Sequence, residues 1–192
     1  MIHCVLALLW LVLQPPPAVV QVVLDTELGR ITIDVDRAHA PGTADNFLQY
    51  VAGGFYDGGR FHRTVRADTE PRRDVPIQVV QAGINPARTA EAFPAIPLER
   101  TSVTGLSHVD GVVSMARGGP DTGRSDFFIC IGDQRELDFA GRRNADGQGF
   151  AAFGRVVAGM EIVRRIQAAP VREGTQTLMP PISILRARVV DR

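Results

Sequence analysis

No lysine occurs among the 192 residues, and cysteine, histidine and tryptophan number only two, four and one. All 21 basic side chains are therefore arginine, which is most simply a codon-composition bias, and 21 acids balance them. With no net field, nucleic acid and membrane surfaces are not expected partners. Cys4 and Cys130 are too few for a disulfide framework or a zinc site. His3, His39, His62 and His108 include no pair at metal-ligand spacing, so no metal is expected. Asn144, Asp146 and Gly147 faintly echo a calcium loop whose flanking acids are missing. Gly147-Gln148-Gly149 precedes a strand pattern instead of following one, which argues against a dinucleotide fingerprint. No serine sits in a nucleophile elbow, and Cys130 reads as a small buried hydrophobe. Covalent, metal and nucleotide chemistry find no support, and no cofactor is expected.

What is present suits one globular domain with its own core, at 45% hydrophobic and 22% charged content. Residues 2–13 are almost wholly apolar, and at 12 residues the run is short of the roughly 20 a spanning helix needs. It suits the core of a secretory signal ending near Pro15-Pro16-Pro17-Ala18, although no arginine precedes it. Residues 1–18 are thus expected to be a signal segment and 19–192 the domain, with export to the periplasm or medium. A mis-assigned start codon, leaving a cytoplasmic protein, and a simple membrane tether are the competing readings.

From Val19 the apolar period is two. Val20, Val22 and Leu24, then Ile31, Ile33 and Val35, flank a turn at Glu27-Leu28-Gly29-Arg30 and predict a hairpin. Pro41-Gly42-Thr43 opens a helix, with Thr43 as the expected cap and Gly53-Gly54 as the stop. Further strands are predicted over 60–65, 78–82, 111–116, 126–131, 152–157 and 182–190, with a second helix over 160–167. Ala67 to Pro76 reads as an extended surface loop. Strands that do not alternate with helices argue for a mainly β fold: a closed eight-stranded antiparallel barrel capped by two α-helices.

Five ordered blocks carry more information: Phe61-His62-Arg63, Gln81-Ala82-Gly83, Ser114-Met115-Ala116-Arg117, Ser125-Asp126-Phe127-Phe128-Ile129 and Gly149-Phe150-Ala151-Ala152-Phe153-Gly154. With Thr43-Ala44-Asp45-Asn46-Phe47 and Leu137-Asp138-Phe139, the series resembles the cyclophilin family of peptidyl-prolyl cis-trans isomerases, in its bacterial branch, over roughly residues 20–190. The resemblance implies an isomerase acting on proline-containing peptides and unfolded proteins, without cofactor, as a monomer. It implies that Arg63 is the catalytic cation and Gln81 its orienter. Phe61, Val79, Ala116, Arg117, Asp126, Phe128, Leu137 and Phe150 are then expected at the substrate groove, with Phe128 as the floor of the proline pocket and Met115 in the core.

Several departures from the family pattern stand out. Glu136 replaces the tryptophan of cyclosporin-sensitive members, which implies weak cyclosporin binding. Gln78 replaces an aromatic and is expected to make the pocket more polar. Asp126 replaces a glutamine and could pair with Arg63. His62 reads as a hydrogen-bonded structural histidine, since isomerisation needs no proton transfer. The altered groove motivates the alternative of a peptide-binding or scaffolding module with little catalysis; an unrelated barrel is the remaining reading.

Overall fold

A computed structural model describes residues 18–190. The apolar N-terminal run and Cys4 lie outside the described residues. The expected hairpin is formed by β1 (Val19–Thr26) and β2 (Gly29–Asp36), paired so that Val22 faces Ile33 and Leu24 faces Ile31. The chain continues through α1 (Pro41–Ala52), β3 (Arg60–Val65), β4 (Val79–Gly83), α2 (Thr101–Thr104), β5 (Val112–Met115), β6 (Phe127–Cys130), β7 (Ala151–Ala158), α3 (Met160–Ala168) and β8 (Thr177–Val190). The strands close in the order β1-β2-β7-β5-β6-β4-β3-β8, with every neighbouring pair antiparallel. Closure leaves no unpaired sheet edge. The barrel is the one expected, and α1 and α3 are its two helices. The single turn of α2 is additional.

Strand alternation divides the apolar residues into two clusters. One fills the barrel: Leu24, Ile31, Ile33, Val80, Ala82, Phe127 and Ile129 point inward, and Met115 joins them. Phe47 of α1 enters this cluster with ring centroids 5.3 Å from Tyr56, 5.4 Å from Phe127 and 5.1 Å from Phe153. Each fully buried Leu, Ile, Val or Phe side chain among them contributes about 1.5–3 kcal/mol of hydrophobic stabilisation. The residues between them face outward. Val65, Ile77, Val79, Phe128, Cys130 and Leu137 form a second buried cluster on the outer wall, flanked by Ala116 and Phe150. That outer cluster positions the site.

Three local expectations are corrected. Thr43 does not cap α1, because the helix starts two residues earlier at Pro41. Its free N–H groups go instead to Glu99, whose carboxylate accepts from Gly42 N at 2.9 Å and Thr43 N at 2.7 Å. β8 begins at Thr177, ahead of Pro180 and Pro181. The two prolines sit where β8 bulges away from β3, between the Phe61–Ile182 and Arg63–Thr177 pairs, so no ladder hydrogen bond is asked of them. The 67–76 segment is no mere surface loop. Glu70 and Val75 are buried in it, and Glu70 makes a 2.9 Å ion pair with Arg143.

Candidate active site

Phe61 and Arg63 would share a face in a regular strand. They do not, because β3 carries an extra residue: Phe61 pairs with Ala82 and Arg63 with the adjacent Gln81, leaving His62 as a bulge. A bulge bends the strand and re-aims the side chains beyond it. Phe61 therefore lies wholly inside the barrel, while Arg63 reaches the outer wall beside Gln81. The expected place of Phe61 at the groove is corrected by the same geometry.

Arg63 is braced from two sides. Its Nη1 donates to Gln81 Oε1 at 2.9 Å, and its Nε and Nη2 donate to Gln176 Oε1 at 2.9 and 2.6 Å. Gln176 is in turn anchored through Nε2 to the Thr69 carbonyl at 3.2 Å. A guanidinium has five N–H donors. Three are engaged among the described residues, so one on each terminal nitrogen remains. Burial, and then the nearby Arg143 guanidinium, lower the Arg63 pKa below the usual arginine value, with Glu70 opposing. An arginine starting that high keeps its charge at neutral pH.

The donors open on a pocket of about 220 Å³ lined by Val79, Gln81, Ala116, Phe128, Leu137 and Phe150, among others. Its apolar rings are fixed. Phe128 meets Phe150 edge-on at 5.2 Å and stacks at 6.0 Å and 17° on His108 behind it. His108 is fully buried, its Nδ1 2.7 Å from Asp138 Oδ1 and its Nε2 2.9 Å from Ser114 Oγ. Burial alone would raise the Asp138 pKa, but hydrogen bonds from His108 and Ser107 outweigh it and hold the carboxyl below its ordinary value. Phe150 is placed by a close crossing of backbones. Gly149 has φ +66°, and a Cβ there would lie 2.6 Å from the Asp138 carbonyl carbon. Phe150 N then donates to the Leu137 carbonyl at 3.0 Å. Arg117 secures the same segment, donating to the Gly149 carbonyl at 2.7 Å and to both Asp146 oxygens at 2.8 and 2.9 Å. A larger hollow, about 380 Å³, opens elsewhere near Val19, Leu106 and Ala152, where no glutamine braces an arginine.

Other expectations need revision. Asp126 does not pair with Arg63: its Oδ2 accepts from Gln81 Nε2 at 3.3 Å and stands 3.6 Å from His62 Nε2. It borders a neighbouring hollow of about 310 Å³ that shares Gln81, Ala116 and Arg117 with the pocket. Gln78 is exposed and meets Gln167, while Ile77 lines the pocket, so the expected polar wall is absent. The hydrogen-bonded buried histidine is His108, because the bulge leaves His62 at the surface with its side chain 34% exposed. Cys130 is buried, and burial pushes its thiol up, away from nucleophilic use. Gln176, Arg143 and Asn144 were not legible as site residues; they come from polar turns, and the one motif nearby, the incomplete calcium-loop echo at Asn144, points to other chemistry.

The matching family is described as "Cyclophilin type peptidyl-prolyl cis-trans isomerase/CLD", and it covers residues 20–189. A peptidyl-prolyl cis-trans isomerase of Acinetobacter baylyi is 32% identical over 86% of this chain and 83% of its own. Peptidyl-prolyl cis-trans isomerase A of Dickeya dadantii is 33% identical over 89% of this chain and 85% of its own. The crystal structure of a Cryptosporidium parvum cyclophilin superposes with a TM-score of 0.72 at 20% identity, covering 91% of this chain and 99% of that one, which speaks to the fold. The chain belongs to the cyclophilin-type peptidyl-prolyl cis-trans isomerase family.

Proposed function

We infer that the groove beside Arg63 carries out the family's reaction, rotation about X-Pro peptide bonds in extended or unfolded chains. The observation that carries this is the braced guanidinium with two donors left, beside a pocket of about 220 Å³ with Val79, Phe128, Leu137 and Phe150 among its walls. A peptide bond resists rotation by about 18–20 kcal/mol because nitrogen shares its lone pair with the carbonyl. Twisting returns that lone pair to the prolyl nitrogen, which becomes a better acceptor. A cation held still and aimed at it binds the twisted form more strongly than either planar form, which lowers the barrier. Arginine suits the task because its planar donors stay charged. Phe128, Leu137 and Val79 hold the ring, and the Ala116–Arg117 backbone offers an edge to the peptide. No proton moves, so no titrating base is needed.

The alternative, a binding module with little catalysis, drew on Gln78 and Asp126. Gln78 is outside the pocket, and Asp126 bonds Gln81 rather than Arg63, so no acid takes the two remaining Arg63 donors. Exchange NMR on an Ala-Pro tetrapeptide tests the choice. Line broadening that grows with catalytic amounts of the protein is expected. Binding shifts without faster cis-trans exchange would overturn the isomerase in favour of the module.

We propose further that the enzyme works outside the cytoplasm as a folding aid and as a monomer. The apolar run over residues 2–13 supports export, and one chain supplies every group of the groove. Mass spectrometry of the mature N-terminus tests export: a chain starting near Ala18 is expected, and an intact Met1 in a cytoplasmic fraction would contradict it.

A further inference from the structure

Three arginines line the proline pocket, Arg63, Arg117 and Arg143, and among the described residues no carboxylate lines it. The counter-charges stand behind the arginines. Asp146 holds Arg117, whose side chain is 2% exposed, and Glu70, itself 1% exposed, holds Arg143 at 2.9 Å. Arg143 is close enough to Arg63 for like charge to be felt there. Beside it Asn144 also lines the pocket, and its Nδ2 is buried with no acceptor among the described residues. A buried N–H left unpaired is unfavourable, so an incoming acceptor is favoured there. The acidic side chain of the groove, Asp126, lies at the other end, in the neighbouring hollow with Arg124.

We propose that the Arg143–Asn144 end of the groove selects proline segments bearing a carboxylate on the flank that leaves the pocket away from Asp126. The carboxylate lies within about two residues of the proline, since an extended chain advances about 3.3 Å per residue. It meets a guanidinium already held by Glu70 and the Val75 carbonyl, so little ordering cost remains on that side, and it supplies the acceptor that the Asn144 amide lacks. Glu70 keeps Arg143 in place without entering the hollow. The selection rests on the isomerase reading of the same groove.

The test compares KM and kcat for two peptide series, with Glu, Gln or Lys placed before the proline in one and after it in the other. In one series Glu should have a KM about threefold below Gln, with Lys above it. The gap should shrink as salt rises from about 0.05 to about 0.5 M. Asn144→Ala, which leaves the Glu70–Arg143 pair intact, should narrow the gap. The double variant Glu70→Gln with Arg143→Gln, which leaves no buried charge unpaired, should abolish it. Equal KM values in both series, an equal Glu preference on both flanks, or a preference surviving in the double variant would each overturn the proposal. If no peptide is isomerised at all, the isomerase reading itself has failed.

Discussion

Phe61 and Arg63 stand two residues apart on one strand and face opposite sides of the barrel wall. The bulge at His62 separates a core ring from the guanidinium that we propose as the catalytic cation, and Gln81 and Gln176 then fix that guanidinium's plane. Holding a five-donor group with three bonds leaves its remaining donors aimed rather than searching, which is the preorganisation catalysis requires.

Gln176 is accordingly a positioning residue. Gln176→Leu removes both of its hydrogen bonds to the guanidinium and should lower kcat by at least about tenfold, with KM nearly unchanged. Gln176→Glu, which keeps an accepting oxygen but loses the Nε2 donor to the Thr69 carbonyl, should recover only part of the loss. Steady-state kinetics on an Ala-Pro peptide check both; a change in KM alone would assign Gln176 to binding instead.

Phe128 both lines the pocket and is a buried ring, 5% exposed between His108 and Phe150. Phe128→Ala should cost about 3 kcal/mol of stability in urea unfolding and lower kcat/KM by more than about tenfold. Unchanged kinetics in a folded variant would show that the proline ring sits elsewhere.

Acid should loosen the Arg117 clasp. Hydrogen bonds from Arg117, then from Gln148 N, hold Asp146 down to about 2. In the unfolded chain a carboxyl of this kind titrates near about 3.9, so the folded form gains stability that is complete above about pH 4 and fades towards about pH 2. Asp146→Asn should therefore lower Tm at about pH 6 and match the parent near about pH 2. A Tm gap that stays constant over that range would contradict the assignment.

Much of this arrangement was legible in the sequence, and the parts that were not share a cause. Alternation separated Phe127 from Phe128, and the ordered blocks singled out Arg63, Gln81 and Leu137. The strand signals gave eight strands with boundaries displaced by a residue or two, except at β8, where two prolines masked a bulged stretch. The bulge at His62 escaped because it exists only relative to the pairing partner β4. Gln176 lies 113 positions from Arg63, and Glu99 lies 56 from Thr43, so only chain closure brings them together. Glu70 fell in a segment read as a surface loop; its burial depends on Arg143 folding over it from a second loop.

The most direct measurement is the exchange rate of an Ala-Pro peptide with the parent protein, Arg63→Ala and Arg63→Lys, alongside peptide affinity by NMR titration. Arg63→Ala should cut kcat/KM by well over tenfold while affinity changes by less than about threefold, and Arg63→Lys should not restore the rate, since a point charge cannot keep the braced plane. Equal exchange rates for the parent and Arg63→Ala would contradict the claim that this guanidinium stabilises the twisted bond.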